Sequence, residues 1–354
     1  MKHIYLLISL FFTSLAFAQL TPPPELQAYY SDVDFSQTGI TLKNDLSVNI
    51  ISNHTNILAY AWDATQATDL NPGGSSNVLL IYGWENGTDM DCTNDLLRDV
   101  NSNGGSNCQW NREHVYPKSL GTPAFTNSGP GADGHHIRSS DVQRNGNRAN
   151  RLYATGSGIA SGPVGSDWYP GDEWRGDVAR VIMYMYLRYG TQCLPSNVGV
   201  GSSAGTPDEM IDLFLQWNAD DPVSEYEDFR NTYHANTSNS FAQGNRNPFI
   251  DNPYIATVIW GGPMADNRWD TLSIESNDLD TINIYPNPVR SEVFYVNTTK
   301  ALEVKIYDLL GKLIKSDVVS PADDDIEIAD LKSGIYLVRM RSNKQTITKK
   351  LIRQ

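Results

Sequence analysis

The chain has 354 residues, enough for about two domains and a sizeable buried core. Hydrophobic residues make up 40% and charged residues 19%, a balance that excludes an intrinsically disordered chain. With 27 basic and 41 acidic side chains the net charge is −14, which argues against coating of nucleic acid by overall charge but leaves room for a local basic site.

In chain order, the first element is a leader. Lys2 and His3 give a short positive start, positions 4–15 an apolar run, and Ala16-Phe17-Ala18 a small-x-small cleavage signature before Gln19. The run is shorter than the ~20 residues of a membrane span, and no later stretch qualifies. Residues 1–18 are therefore predicted to be a signal peptide, and no membrane span is expected. Thr21-Pro22-Pro23-Pro24 is an extended lead-in. From about Tyr29 to Gly262 the chain is rich in aromatics, Asn and Gly. Cys92, Cys108 and Cys193 show no CxxC spacing, which argues against a zinc knuckle or a thioredoxin-type site. Two readings stay open for them: a Cys92–Cys108 bridge with Cys193 free, or three buried thiols.

Two helices can be placed next. Val178, Val181, Ile182, Met185, Tyr186 and Tyr189 recur with the 3.6-residue period, while Arg175, Asp177, Arg180 and Arg188 mostly fall on other faces. Thr206-Pro207-Asp208-Glu209 reads as a capping box opening a second helix, with the stripe Met210, Leu213, Phe214 and Trp217. Both stripes read as core. Residues 266–281 form a polar, acidic connector between a catalytic-domain candidate, 19–265, and a last segment, 282–354. That segment has β-rich runs at 293–296, 303–307 and 334–338 separated by turn residues, the pattern of a small all-β sandwich. Its charge differs too: residues 284–354 carry net +3, residues 19–283 net −18.

The chemistry-bearing residues concentrate between these regions. His114, His135 and His136 fall within 23 residues, in W-N-R-E-H-V-Y-P (110–117) and D-G-H-H-I-R-S-S-D (133–141). A neutral imidazole takes a proton from water at physiological pH. Glu113 leaves a strand on the side opposite to His114, so the two do different jobs. A carboxylate with an amide oxygen suits Mg²⁺, which prefers oxygen ligands and keeps much of its water. Ser140-x-x-Gln143 is a capping-box pattern, so a helix is expected from Ser140, with Asn145 and Gly146 as unfavourable members of it. His135 and His136 alternate if this is a strand, so at most one faces the site. Residues 110–151 hold six basic and three acidic groups, a local positive excess suited to phosphate. The glycine-rich run 156–165 lacks GxxxxGK and reads as a loop, and HExxH is absent.

The order strand with Glu-His, strand with His-His, helix with Asn resembles the ββα-metal (His-Me) finger of secreted nucleases. Residues 29–262 are similar to bacterial endonuclease I, on the two motifs above, N-G-N-R-A-N (145–150), R-G-D-V-A-R (175–180), Q-G-N-R-N-P-F-I-D (243–251) and, more weakly, N-V-L-L-I-Y (77–82). The resemblance implies a mixed α+β, largely helical nuclease domain built on that finger. It implies His114 as the general base, Glu113 and Asn145 as ligands of one catalytic Mg²⁺ (with Mn²⁺ or Ca²⁺ as substitutes), and 5′-phosphate ends. An Arg commonly neutralises the phosphate; Arg112, Arg138, Arg144 and Arg148 are candidates, and Arg148 is preferred. The chain departs from the family pattern at Gly134, Ser139, Asn147 and Ala149, where Leu, Pro, Asp and Ser are usual.

The tail opens with I-Y-P-N-P-V (284–289), followed by V-K-I-Y-D (304–308), G-K (311–312) and L-K-S-G-I-Y (331–336). It resembles the type A C-terminal sorting domain of type IX secretion substrates, which implies passage through that machinery and release or surface attachment. The expectation is a secreted monomer that hydrolyses DNA, with RNA as a second substrate. The alternative is a catalytically weak fold kept as a secreted nucleic-acid-binding or surface-binding protein.

Overall fold

The computed structural model describes residues 20–72, 74, 76–86, 89–269, 282–308, 312–342 and 345–354. The predicted signal peptide and the connector beyond residue 269 lie outside them. The described residues form two units, divided between 269 and 282.

In the first unit, α1 (Pro24–Gln27), α2 (Gly39–Asn53) and α3 (Trp62–Thr68) precede β1 (Asn77–Leu79), which pairs antiparallel with β2 (Leu97–Asp99). Next, β3 (Trp110–His114) pairs antiparallel with β4 (Ile137–Asp141), placing Glu113 opposite Arg138 and His114 opposite Ile137. Helix α4 (Val142–Arg148) continues from β4 without a break. After the hairpin β5 (Gly162–Val164) and β6 (Asp167–Tyr169) comes α5 (Arg175–Tyr189), then α6 (Asp212–Asp220), α7 (Glu225–Ala235), α8 (Pro248–Asp251) and α9 (Tyr254–Trp260).

The periodic stripe of α5 is buried as expected, but the helix is buried almost all round, Asp177 and Arg180 included. The reason is its central position, with α2, α6 and α8 packed against it. Each enclosed charge has a partner, as burial of an ion demands: Arg138 pairs with Asp177 at 3.2 Å and Arg180 with Glu227 at 2.6 Å.

Four local expectations are corrected. The helix expected from Thr206 begins at Asp212, because the Thr206 hydroxyl is turned toward the carbonyls of Ser203, Asp208 and Met210, its one hydrogen within reach of all three, and not toward free amides. The cap of α4 is Asp141 rather than Ser140; Asp141 accepts from the amides of Gln143 and Arg144, while Ser140 is the fourth residue of β4 and bonds Ile81 O. His135 and His136 precede β4 in a turn, so strand alternation does not govern them. The run 156–165, read as a loop, also contributes β5 to the small hairpin.

The second unit contains β7 (Asn283–Tyr285), β8 (Val293–Asn297), β9 (Leu302–Tyr307), β10 (Leu313–Val319), β11 (Asp325–Glu327), β12 (Gly334–Ser342) and β13 (Gln345–Arg353). They form two antiparallel sheets, ordered β10-β9-β12-β13 and β11-β8-β7. Leu302, Val304 and Ile306 alternate inward with Glu303 and Lys305 outward. Both sheets contribute to one core, Phe294, Val296 and Ile326 from one side and Val304, Ile306, Val338 and Met340 from the other.

Candidate active site

Strand β3 carries the chemistry. Residues two apart share a face, so Asn111 and Glu113 leave it on one side and Arg112 and His114 on the other. On the first side, α4 lies close enough for Asn145 Nδ2 to donate to Asn111 Oδ1 at 2.7 Å. That bond fixes the Asn145 amide, and it links the helix to the strand position two residues before Glu113.

Glu113 is only 3% exposed. Tyr82 donates to its Oε1 at 2.9 Å, and Arg148 Nη1 lies 3.5 Å from the same oxygen. Burial nevertheless pushes the carboxyl up to about 7, against the lowering effect of Arg148 and the Tyr82 hydrogen bond. A cation beside it would favour the ionised form. Among the described residues no group of three or more His, Cys, Asp or Glu side chains is arranged to hold a metal. The two expected ligands, Glu113 and Asn145, would offer a different kind of donor, one carboxylate and one amide oxygen. Those hard oxygen donors fit a cation that retains most of its water.

On the opposite side, His114 Nε2 lies 3.0 Å from Gly131 O, and the ring sits between Tyr60 and His136, with centroids 5.0 and 5.4 Å away. Burial above all, then His136, pushes its pKa down to about 3, so the ring is neutral near pH 7. Arg112 shares this side: its guanidinium lies between the rings of Tyr60 and Trp62, at 3.7 and 4.1 Å, and donates to Tyr60 O.

The expected arginine, Arg148, lies inside the protein at 0% exposure. Its Nη2 donates to Val115 O at 2.9 Å, Nη1 to Ala149 O at 3.1 Å, and the guanidinium stacks on Tyr153. Arg138 is buried on Asp177. Two of the six basic groups counted in 110–151 are therefore internal, and the surface excess is smaller than the count implied. Arg144 is half-buried over Trp84 and bonds Thr93 O and Ser161 O.

Helix α4 is also held from outside. Arg98 donates to the capping Asp141 at 2.6 Å and to the carbonyl of Cys92. Cys92 and Cys108 are bridged, and Cys193 is free and buried, which selects one of the two readings left open.

His135 and His136 are both buried, and only His136 approaches His114. His135 Nε2 lies 3.2 Å from Asn245 O and its ring packs on Tyr184 and His234. Beneath them Asp133 accepts from the His135 amide, Tyr184, Tyr189 and Gln243. Gly134 fits here because a Cβ would meet His234 at 2.4 Å, and its amide donates to Gln243 at 2.5 Å. Ser139, where the family usually has Pro, gives its amide and hydroxyl to Asp69. Sequence reasoning passed over Tyr82, Asn111 and Asp133. Asn111 was findable as the residue two before Glu113 on a strand. The partners of the other two lie 31 or more positions away, except for the His135 amide two residues from Asp133.

Among the described residues no helix is long and apolar enough to cross a membrane. Residues 38–254 match the family model of endonuclease I, and residues 283–354 that of the secretion-system C-terminal sorting domain. The chain is 37% identical over 259 residues to a protein of Bacillus amyloliquefaciens named extracellular ribonuclease, covering 70% of this chain and 83% of that one. A protein of the same name from Bacillus subtilis (strain 168) is 38% identical over 254 residues, covering 69% and 82%.

Proposed function

This chain belongs to the endonuclease I family, and on that premise we propose a secreted, metal-dependent endonuclease that hydrolyses RNA and DNA without sequence preference. It is a nuclease, and its C-terminal sorting domain makes it an exported one. Under this reading the tail is handled by the type IX secretion machinery, ending in release or surface attachment. The relatives named extracellular ribonuclease support RNA as a substrate.

The observation that carries the mechanism is the orientation of the His114 ring. A carbonyl oxygen only accepts, so Nε2 facing Gly131 O bears the ring hydrogen and Nδ1 keeps its lone pair. Nδ1 takes the proton of the water that attacks phosphorus. A substrate phosphate beside the ring offsets the positive neighbours and raises the basicity of Nδ1 toward the range where a general base works best. Glu113 and Asn145 would hold a Mg²⁺ ion, with Mn²⁺ or Ca²⁺ as substitutes at the same oxygen donors. When bound, the ion supplies Lewis acidity at the scissile phosphate and the leaving 3′ oxygen, which gives 5′-phosphate ends. Arg112, on the His114 side of β3, takes the phosphate contact expected of Arg148, and Arg148 holds Glu113 in place. Binding through phosphates requires no base-reading element.

The test is digestion of supercoiled plasmid and of single-stranded RNA by the mature chain, in Mg²⁺ and in EDTA, beside His114→Ala and Asn145→Ala. Cleavage that needs Mg²⁺ and collapses in both variants is expected. An inert wild type that still retards nucleic acid in a gel would leave a binding protein. Activity surviving His114→Ala would put the base elsewhere.

A further inference from the structure

We propose that Tyr82 is a positioning residue for the metal-binding carboxylate of Glu113; this rests on the assignment of Glu113 as a ligand. Tyr82 is fully buried and has φ +76°, a left-handed backbone conformation that L-residues rarely adopt. The surroundings impose it. Ile81 donates its amide to Ser139 O at 2.8 Å, Tyr82 O accepts from Ser161 Oγ at 2.7 Å, and Gly83 is pressed so close to Asp95 that a Cβ would lie 2.2 Å from its carbonyl oxygen. The ring packs edge-on against Trp168. The product of this local strain is the aim of one hydroxyl.

That hydroxyl lies 2.9 Å from Glu113 Oε1 and 2.7 Å from the hydroxyl of Tyr153, which itself lies 2.9 Å from Val115 O. Three contacts share two hydroxyl hydrogens. Val115 O already accepts from Arg148 Nη2. The arrangement that leaves no acceptor unserved runs Tyr153 to Tyr82 to Glu113, each hydroxyl donating onward, and such a chain polarises toward its end. Tyr82 and Arg148 approach the same carboxylate oxygen from two directions and so fix the rotation of the group. Tyr82 comes from the segment after β1 and Tyr153 from the segment after α4, so the strand bearing Glu113 is registered against both.

Partners of this kind, removed one at a time, typically change metal affinity by about 10–100-fold. Full-length mature protein carrying Tyr82→Phe keeps the ring and loses only the hydroxyl. Calorimetric titration with MnCl₂ and MgCl₂ is expected to show about tenfold weaker binding. The Mg²⁺ dependence of cleavage should move to higher concentration, with the rate recovered at saturating Mg²⁺. Tyr153→Phe, one step further along the chain, should produce a smaller shift in the same direction.

Wild-type metal affinity in Tyr82→Phe, with Glu113→Gln having lost binding, would overturn the positioning role alone. Undiminished binding by Glu113→Gln would instead overturn the ligand assignment. A lowered rate that saturating Mg²⁺ does not restore, with unchanged affinity, would make Tyr82 a structural residue only. If Tyr82→Phe fails to fold, Tyr153→Phe decides: unchanged metal affinity there refutes the relay.

Discussion

Glu113 and Arg148 are far apart in the chain and become neighbours only in the buried interior of the fold. The resemblance made Arg148 the preferred phosphate contact, and nothing local in the sequence marks it as buried. It instead turns inward against β3, where its charge faces the carboxylate of Glu113 at 3.5 Å. Removing one member of a buried pair leaves the other uncompensated, at a cost of about 3–5 kcal/mol. Arg148→Met should lower stability by that order in urea unfolding, with Glu113→Gln in the same chain recovering part of the loss. A variant as stable as wild type with only cleavage reduced would return Arg148 to the substrate. Arg112→Ala should cost less stability, about 1 kcal/mol for its ring contacts and one hydrogen bond, and should weaken RNA retention in a gel. The strand that carries Glu113 and His114 and the helix that carries Asn145 could be read from their motifs because each occupies a short, ordered run of the sequence. Asp133 could not, since its significance depends on donors from residues 184, 189 and 243.

Element boundaries depend on which backbone groups a side chain can reach. A hydroxyl three residues ahead of an acid or amide is a helix cap only when free amides lie beside it. Ser140 is already engaged in β4, and Thr206 meets carbonyls, so both capping patterns misplaced the start of a helix that does exist. The periodic stripes fared better because burial on a helix face is a local property, whereas the enclosure of α5 on its remaining faces comes from helices distant in sequence. Helix α4 is short, so its cap matters to Asn145. Asp141→Ala removes the one oxygen that accepts from two helix amides and strands Arg98, and should cost about 1–2 kcal/mol from the cap alone. Asp141→Asn should keep most of the cap while losing the ion pair. Thermal unfolding separates them, and a higher Mg²⁺ requirement in Asp141→Ala would show that the cap holds the ligand in place.

At the scale of the molecule, the five histidines beyond the leader are all at least half-buried in the first unit, and burial pushes His135 and His136 down to about 4 and His234 well below its usual value. The unfolded chain takes up protons near pH 6.5 that the folded chain refuses. The contribution of these rings is therefore fully present above about pH 6.5 and is lost as pH falls toward about 4, at roughly 1.4 kcal/mol per pH unit for each refused proton. Glu113, raised to about 7, and Asp221, raised to about 6, take up protons in the folded chain over the same window and offset part of that loss. Asp133, held far below the carboxylate range by its histidine neighbours despite burial, adds its own loss only in stronger acid. Urea midpoints at pH 7, 6 and 5 test this, and a flat profile would contradict it. The two-unit organisation was legible from composition because the tail changes in charge and periodicity together. The histidine packing was not, because two rings adjacent in sequence serve different neighbours.

The loop that carries Gly131 and sets the His114 ring is pinned from beneath by Gln243, 110 positions after Asp133. During synthesis the strand pair emerges long before that segment exists. A chain truncated before residue 243 thus holds His114 without the contact that pins the loop beside its ring. Long-range closure of this kind also places assembly of the centre late in folding, so hydrogen-exchange protection at Gly134 should arise together with that of Gly244, not with that of β3.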